Sequence, residues 1–160
     1  MKTAGDIIAA HDQQVWSIPS TATVFEALKL MSEKNIGALP VRDKAKNVVG
    51  IFSERDYARK VVLLGRTSHD TPVEAIMTPA AQMITILPET SLETCMALMT
   101  MYHIRHLPVF AKEVLVGIIS SRDVVQALIQ EKHRVIDSLR DVSDTLFTQT
   151  YDDHFAGGKG

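Results

Sequence analysis

Val49-Gly50-Ile51-Phe52-Ser53-Glu54-Arg55-Asp56 recurs 67 residues later as Val116-Gly117-Ile118-Ile119-Ser120-Ser121-Arg122-Asp123. Six of the eight positions are identical, so the chain carries an internal repeat, and the repeat decides its architecture. Working toward the N-terminus, Ile36-Gly37-Ala38-Leu39-Pro40-Val41 matches Ile104-Arg105-His106-Leu107-Pro108-Val109 at a separation of 68. The change of one residue falls in Arg42 to Asn47, a polar stretch that reads as a turn, where length changes are tolerated.

Each copy has the same grammar. An extended start lies near Val15 to Ile18 and near Met83 to Leu87. A helix follows, with Val24, Ala27, Leu28 and Met31 at helical spacing in one copy and Leu92, Cys95, Met96 and Met99 in the other. Thr23 with Glu26 forms a capping box, and Ser91 caps the second helix without the reciprocal Glu. Two apolar strands come next, Ala38 to Val41 and Val48 to Phe52, then Leu107 to Phe110 and Leu115 to Ile119. A second helix opens at Ser53 or Ser120. The order is β-α-β-β-α, twice. A unit of roughly 60 residues buries too little surface to stand alone, so the copies are expected to pack together about a pseudo-two-fold axis. The fold class expected is α/β (α+β), with a C-terminal helical extension. The repeats occupy 5–65 and 79–130, a linker 66–78 with a small helical turn at Val73 to Met77, a C-terminal helix 131–150 and a flexible tail 151–160.

Composition narrows the function. The chain has 160 residues, 46% of them apolar and 22% charged, enough for a core and against disorder. With 17 Lys and Arg against 19 Asp and Glu the net charge is −2, so nucleic acid is not the expected partner. One cysteine excludes an intramolecular disulfide and any multi-cysteine zinc site. No apolar run approaches the ~20 residues that span a bilayer, and Asp6, His11 and Asp12 interrupt any signal-peptide core. A soluble, cytoplasmic protein with no membrane contact is expected.

Ser-x-Arg-Asp after a strand and at a helix start suits a ribose phosphate. The helix tip offers unpaired N–H groups and positive potential, Ser a donor, Arg a planar cation, and Asp two acceptors for vicinal hydroxyls. The same spacing also makes an N-cap, with Asp reaching back to the Ser amide, and duplication would copy a cap as faithfully as a site. His103 and His106 lack a third ligand and read as a helix-end cation and a cleft residue, so no metal is expected. Cys95 reads as a small core residue. Gly157 to Gly160 lacks the rest of a phosphate loop and reads as tail. Val135, Leu139, Val142 and Leu146, spaced 4, 3 and 4, form a heptad-like stripe that lies back on its own domain or meets a second subunit.

The composite pattern resembles the cystathionine-β-synthase-type (CBS) domain, over about residues 5 to 130. Phe52 to Lys60 and Ile104 to Val109 resemble small stand-alone bacterial CBS-pair proteins in particular. The resemblance implies a regulatory module that binds adenosine nucleotides in clefts between the repeats and passes occupancy to a partner protein the sequence does not name. AMP comes first, with ADP, ATP, NAD or S-adenosylmethionine as further ligands, and no catalytic cofactor. One site would use Gly37, Ala38, Ser53, Arg55 and Asp56, with Ile86, Thr90 and Cys95 opposite and Thr90 meeting phosphate. The other would use Arg105, His106, Ser120, Arg122 and Asp123, with Ile18, Ala22 and Ala27 opposite. Ala22 lacks the hydroxyl that Thr90 supplies. The first site ranks slightly higher, and a homodimer is implied. Two other readings stand beside this one: an interaction scaffold with vestigial clefts, and a nucleotide-acting enzyme. The sequence offers the enzyme no nucleophile–base pair, metal cluster or complete phosphate loop.

Overall fold

The computed structural model describes residues 2–10 and 14–155, with side chains through residue 143. His11, Asp12 and the Gly157 to Gly160 tail lie outside the described residues. The chain forms α1 (Ala4–Ala10), β1 (Ile18–Pro19), α2 (Val24–Lys34), β2 (Ala38–Arg42), β3 (Val48–Ser53) and α3 (Glu54–Asp56). It continues through β4 (Thr78–Pro79), α4 (Leu92–Met101), β5 (His106–Ala111), β6 (Val114–Ser120) and α5 (Ser121–Phe155). One sheet has the order β1-β2-β3-β4 and the other pairs β5 with β6. The result is the mixed α and β tandem that the repeat implied.

Corresponding pairs repeat across the two units. Ala38 faces Ser53 and Val41 faces Gly50 in the first, as His106 faces Ser120 and Val109 faces Gly117 in the second. Ile18 pairs in parallel with Val41, and Ile86 with Val109. The extended starts are shorter than expected: β1 is two residues, and in the second unit Ile86 alone bridges. Each unit encloses its own core. Met31, Leu39, Val41 and Phe52 fill the first, and Leu92, Met99, Leu107, Val109 and Ile119 the second.

Each unit is closed by the segment that leads into the other. Ala4 and Gly5 donate backbone hydrogen bonds to Thr90 and Pro88 of the second unit, and Val73 and Glu74 donate to Ala22 and Ser20 of the first. Ala4 and Ile7 are buried in the second core, Val73 and Ile76 in the first. The 3-10 turn Val73–Ala75 is thus the counterpart of the start of α1, and residues 71–77 do more than connect. Two glycines accept these segments. A Cβ on Gly117 would stand 2.9 Å from Ile8 Cδ1, and one on Gly50 2.6 Å from Met77 Sδ.

The second helices of the two units diverge. After Ser53 only Glu54–Asp56 is α-helical, and Tyr57–Val62 widens into a π-helix. A regular helix would carry Lys60 to the position that Ala127 fills in the second core. The wider turn buries Val61 instead and leaves Lys60 Nζ to donate to the Ile76 carbonyl at 2.9 Å. In the second unit the helix does not stop at residue 130. It runs unbroken through 131–150 and on through 151–155, where a tail was expected. The expectation that its stripe lies back on its own domain fails over the described side chains, because Val135, Leu139 and Val142 are exposed.

Candidate functional site

The ends of β2 and β3 bring Gly37, Ala38, Ser53 and Asp56 together, and the ends of β5 and β6 do the same for Arg105, His106, Ser120 and Asp123. Matching amide bonds fix both corners: Glu54 N–H donates to the Gly37 carbonyl at 3.2 Å and Ser121 N–H to the Arg105 carbonyl at 2.8 Å. The corners meet across the seam between units. A Cβ on Gly37 would lie 3.1 Å from His106 Cε1 and Nε2 and 3.6 Å from Glu54 Oε2. Arg55 Nη1 donates to the His103 carbonyl of the other unit. His103 has φ 53, a left-handed conformation that ends α4.

Both carboxylates close their own helices. Ser53 N–H and Oγ–H donate to Asp56 Oδ2 at 2.9 and 3.0 Å, and Asp56 N–H returns to Ser53 Oγ at 3.4 Å. Ser120 N–H and Oγ–H donate to Asp123 Oδ2 at 2.8 and 2.6 Å, and Asp123 N–H returns to Ser120 Oγ at 3.2 Å. The capping reading of Ser-x-x-Asp is therefore realised in both copies. The carboxylates differ beyond the cap: Asp56 Oδ1 pairs with Lys60 Nζ at 2.9 Å, whereas the charge of Asp123 acts on the His106 imidazole. Burial pushes the half-buried His106 imidazole below its ordinary pKa, Asp123 opposes that shift, and Arg105 adds to it.

The residues expected on the opposite walls are placed differently. Cys95 and Ala27 have no exposed surface and sit wholly in the two cores, on the inward sides of α4 and α2. Neither lines a cleft here, and burial pushes the Cys95 thiol up. Ile86 and Ile18 are also buried, each paired within its own unit. Thr90 Oγ1 accepts the Leu87 amide at 3.2 Å, which makes it a turn residue, and its carbonyl receives Ala4. The Ala22 carbonyl receives Val73 in the same way. Arg122 and Arg105 are exposed at their corner, and Arg55 is half-buried.

Two contributors escaped the sequence reading. Glu54, at the variable position of Ser-x-Arg-Asp, approaches Gly37. Lys60 neutralises Asp56 from one turn on, a spacing that was open to inspection. Among the described residues no group of three metal-ligating side chains occurs, and no helix is long and apolar enough to cross a membrane.

The chain is similar to known proteins of one family. The CBS domain family matches residues 4–63 and again 73–130. The CBS domain-containing protein CBSX3, mitochondrial, of Arabidopsis thaliana is 43% identical over 114 residues, which cover 70% of this chain and 55% of that protein. This chain thus matches about half the length of that relative. A solved protein with CBS domains from Burkholderia ambifaria is 42% identical with a TM-score of 0.76, covering 81% of this chain and 95% of that one. The CBS domain pair of protein MJ0100, solved in complex with 5-methylthioadenosine and S-adenosyl-L-methionine, is 25% identical with a TM-score of 0.70, covering 82% and 98%.

Proposed function

This chain belongs to the CBS domain family, with two such domains in one protein, and from that premise we propose that it is a regulatory module holding an adenosine nucleotide, AMP foremost, at the seam between its units. The observation that carries the reading is the meeting of the two Ser-x-Arg-Asp corners, with His106 of one unit over Gly37 of the other. The adenosine compounds bound by the MJ0100 pair support the ligand class. ADP, ATP, NAD and S-adenosylmethionine share the adenosine and differ beyond it.

Cap and ligand make separate demands on each carboxylate. Oδ2 holds the helix start, so a ribose would take Oδ1. At Asp56 that oxygen already faces Lys60, and Arg55 is held by His103. The expected ranking is therefore reversed: Asp123, with Arg122 and Arg105 exposed beside it, forms the primary corner. A nucleotide that spans both units favours one arrangement of them, and a partner protein that reads the arrangement responds to nucleotide level. We place this sensor in the cytoplasm as a homodimer without catalytic activity. Turnover of AMP, ADP, ATP or NAD in a thin-layer assay would remove that last element.

Calorimetry with AMP, ADP, ATP, NAD and S-adenosylmethionine tests the reading. Adenylate binding is expected, with Asp123→Ala costing about 1–3 kcal/mol of affinity and Asp56→Ala less. Absence of binding by every ligand would overturn it. A specific observation favours a second reading, a scaffold with vestigial clefts: both carboxylates serve as caps and His106 covers Gly37. Its mark would be a partner bound equally well with and without adenylate.

A further inference from the structure

We propose that the outer part of α5 is an antiparallel coiled-coil seam for the same helix of a second copy. The inference rests on the homodimer proposed above, not on adenylate binding, and it names the contact. Helix α5 has 35 residues, about 52 Å at 1.5 Å per residue. Among the described side chains its first three turns are anchored, through Val124 and Ala127 in the second core and through Gln130 and Glu131, which accept from Lys2. From residue 132 to 143 every side chain is exposed. An overhang of this length is marginal as an isolated helix, so tertiary or quaternary burial has to supply its stability.

The exposed part carries an apolar stripe. Val135 is 55% exposed, Ile136 46%, Leu139 65% and Val142 56%. Val135, Leu139 and Val142 are spaced 4 and 3, one full heptad in two steps, and Leu146 follows four residues on, so the alternation is that of a left-handed two-helix seam. A helix of the same period is the partner such a seam fits, and this chain supplies one.

Charge sets the direction. Glu131, Lys132 and Arg134 leave the N-terminal end of the stripe net basic, and Arg140, Asp141 and Asp144 leave its C-terminal end net acidic. Parallel pairing would place like ends together, and antiparallel pairing places basic against acidic. Opposed helix dipoles favour the same choice. The register follows. Val135 of each copy packs on Leu139 of the other, the two-fold axis passes near residue 137, and Lys132 lies beside Val142 and Asp141 of the second copy.

Sedimentation equilibrium on the whole protein tests the seam. The unsubstituted chain is expected to be dimeric, and Val135→Glu and Leu139→Glu, with unchanged circular dichroism, to raise the dimer dissociation constant by at least about tenfold. A monomeric unsubstituted protein would overturn the dimer itself. A dimer untouched by both substitutions would overturn only the seam. Mild oxidation then tests direction, because the single native cysteine, Cys95, is fully buried. Ser138→Cys, one residue from the axis, is expected to cross-link into a covalent dimer and Lys132→Cys to remain unlinked. Cross-linking of Lys132→Cys would overturn the antiparallel arrangement.

Discussion

The His106 imidazole lies on Gly37 so closely that a Cβ there would stand 3.1 Å from two of its ring atoms. Gly37 and Ala38 align with Arg105 and His106 in the other unit, so the corners are not equivalent: one presents a bare backbone and a methyl group, and the other an exposed guanidinium and an aromatic base. Gly37→Ala is expected to push the ring outward. The cost should be modest, about 1 kcal/mol, because a side-chain tip can yield. Burial now holds the imidazole below its ordinary pKa, so the displaced ring should titrate closer to 6.5. NMR titration of His106 checks this, and an unchanged midpoint in Gly37→Ala would contradict the contact.

The same depression gives a pH dependence with a definite sign. A base whose folded pKa is lowered takes up its proton more readily in the unfolded chain. The stability contributed by neutral His106 is complete above pH ~6.5 and declines as the pH falls through that value toward the folded pKa. Urea midpoints at pH 7.5, 6 and 5 should fall, and His106→Gln should flatten that part of the curve. Asp6, Glu26 and Asp43, lowered mainly by hydrogen bonds from Thr3, Thr23 and Asn47, lose their contributions only in a more acid window, below about pH 4.5. The two windows are separable in one titration.

Both Ser-x-x-Asp boxes make a stability statement independent of any ligand. Ser53→Ala and Ser120→Ala each remove the hydroxyl that receives the third helical amide, and each should cost about 1 kcal/mol. Denaturant unfolding measures this. Adenylate affinity measured on the same proteins then separates cap from site. A variant that loses stability but keeps affinity assigns its hydroxyl to the helix alone.

Gly50 and Gly117 are predicted to differ in their tolerance of a methyl group. At Gly117 the intruding Cβ would meet the flexible end of Ile8, at 2.9 Å. At Gly50 it would stand 2.6 Å from the Thr78 carbonyl oxygen as well as from Met77 Sδ, and backbone paired in a sheet cannot step aside. Gly50→Ala should therefore cost about 1–3 kcal/mol or more, and Gly117→Ala less. Thermal unfolding of the two variants tests the order. Equal melting temperatures would show that the Met77 segment moves as freely as Ile8.

The repeat was legible because its most similar stretch, Val49 to Asp56 against Val116 to Asp123, lies where strand, glycine and cap all constrain residue type. The closing segments were not. Thr71 to Met77 and Lys2 to Ile8 share one identity, Ile76 with Ile7, because their work needs only small or aliphatic residues at three positions. The π-turn was hidden for a related reason. Nothing in Tyr57 to Val62 forbids an α-helix, and the penalty of Lys60 facing a core emerges only in packing. At the corners, Ser-x-x-Asp spacing serves a cap and a ribose equally, so the residues were found while their hydrogen bonds were not. Ala27 and Cys95 share a helix face with other core residues, and nothing local distinguishes a cleft wall from the interior behind it.

The reciprocal hand-over at Ala4 and Val73 sets where the molecule can be divided. A cut near Gly65 severs no closing contact, yet it leaves each fragment holding the piece that completes its neighbour. Neither fragment encloses a whole interior by itself, and the two together can. Co-expressed halves should reconstitute the native stack by complementation, each donating its leading peptide to the other.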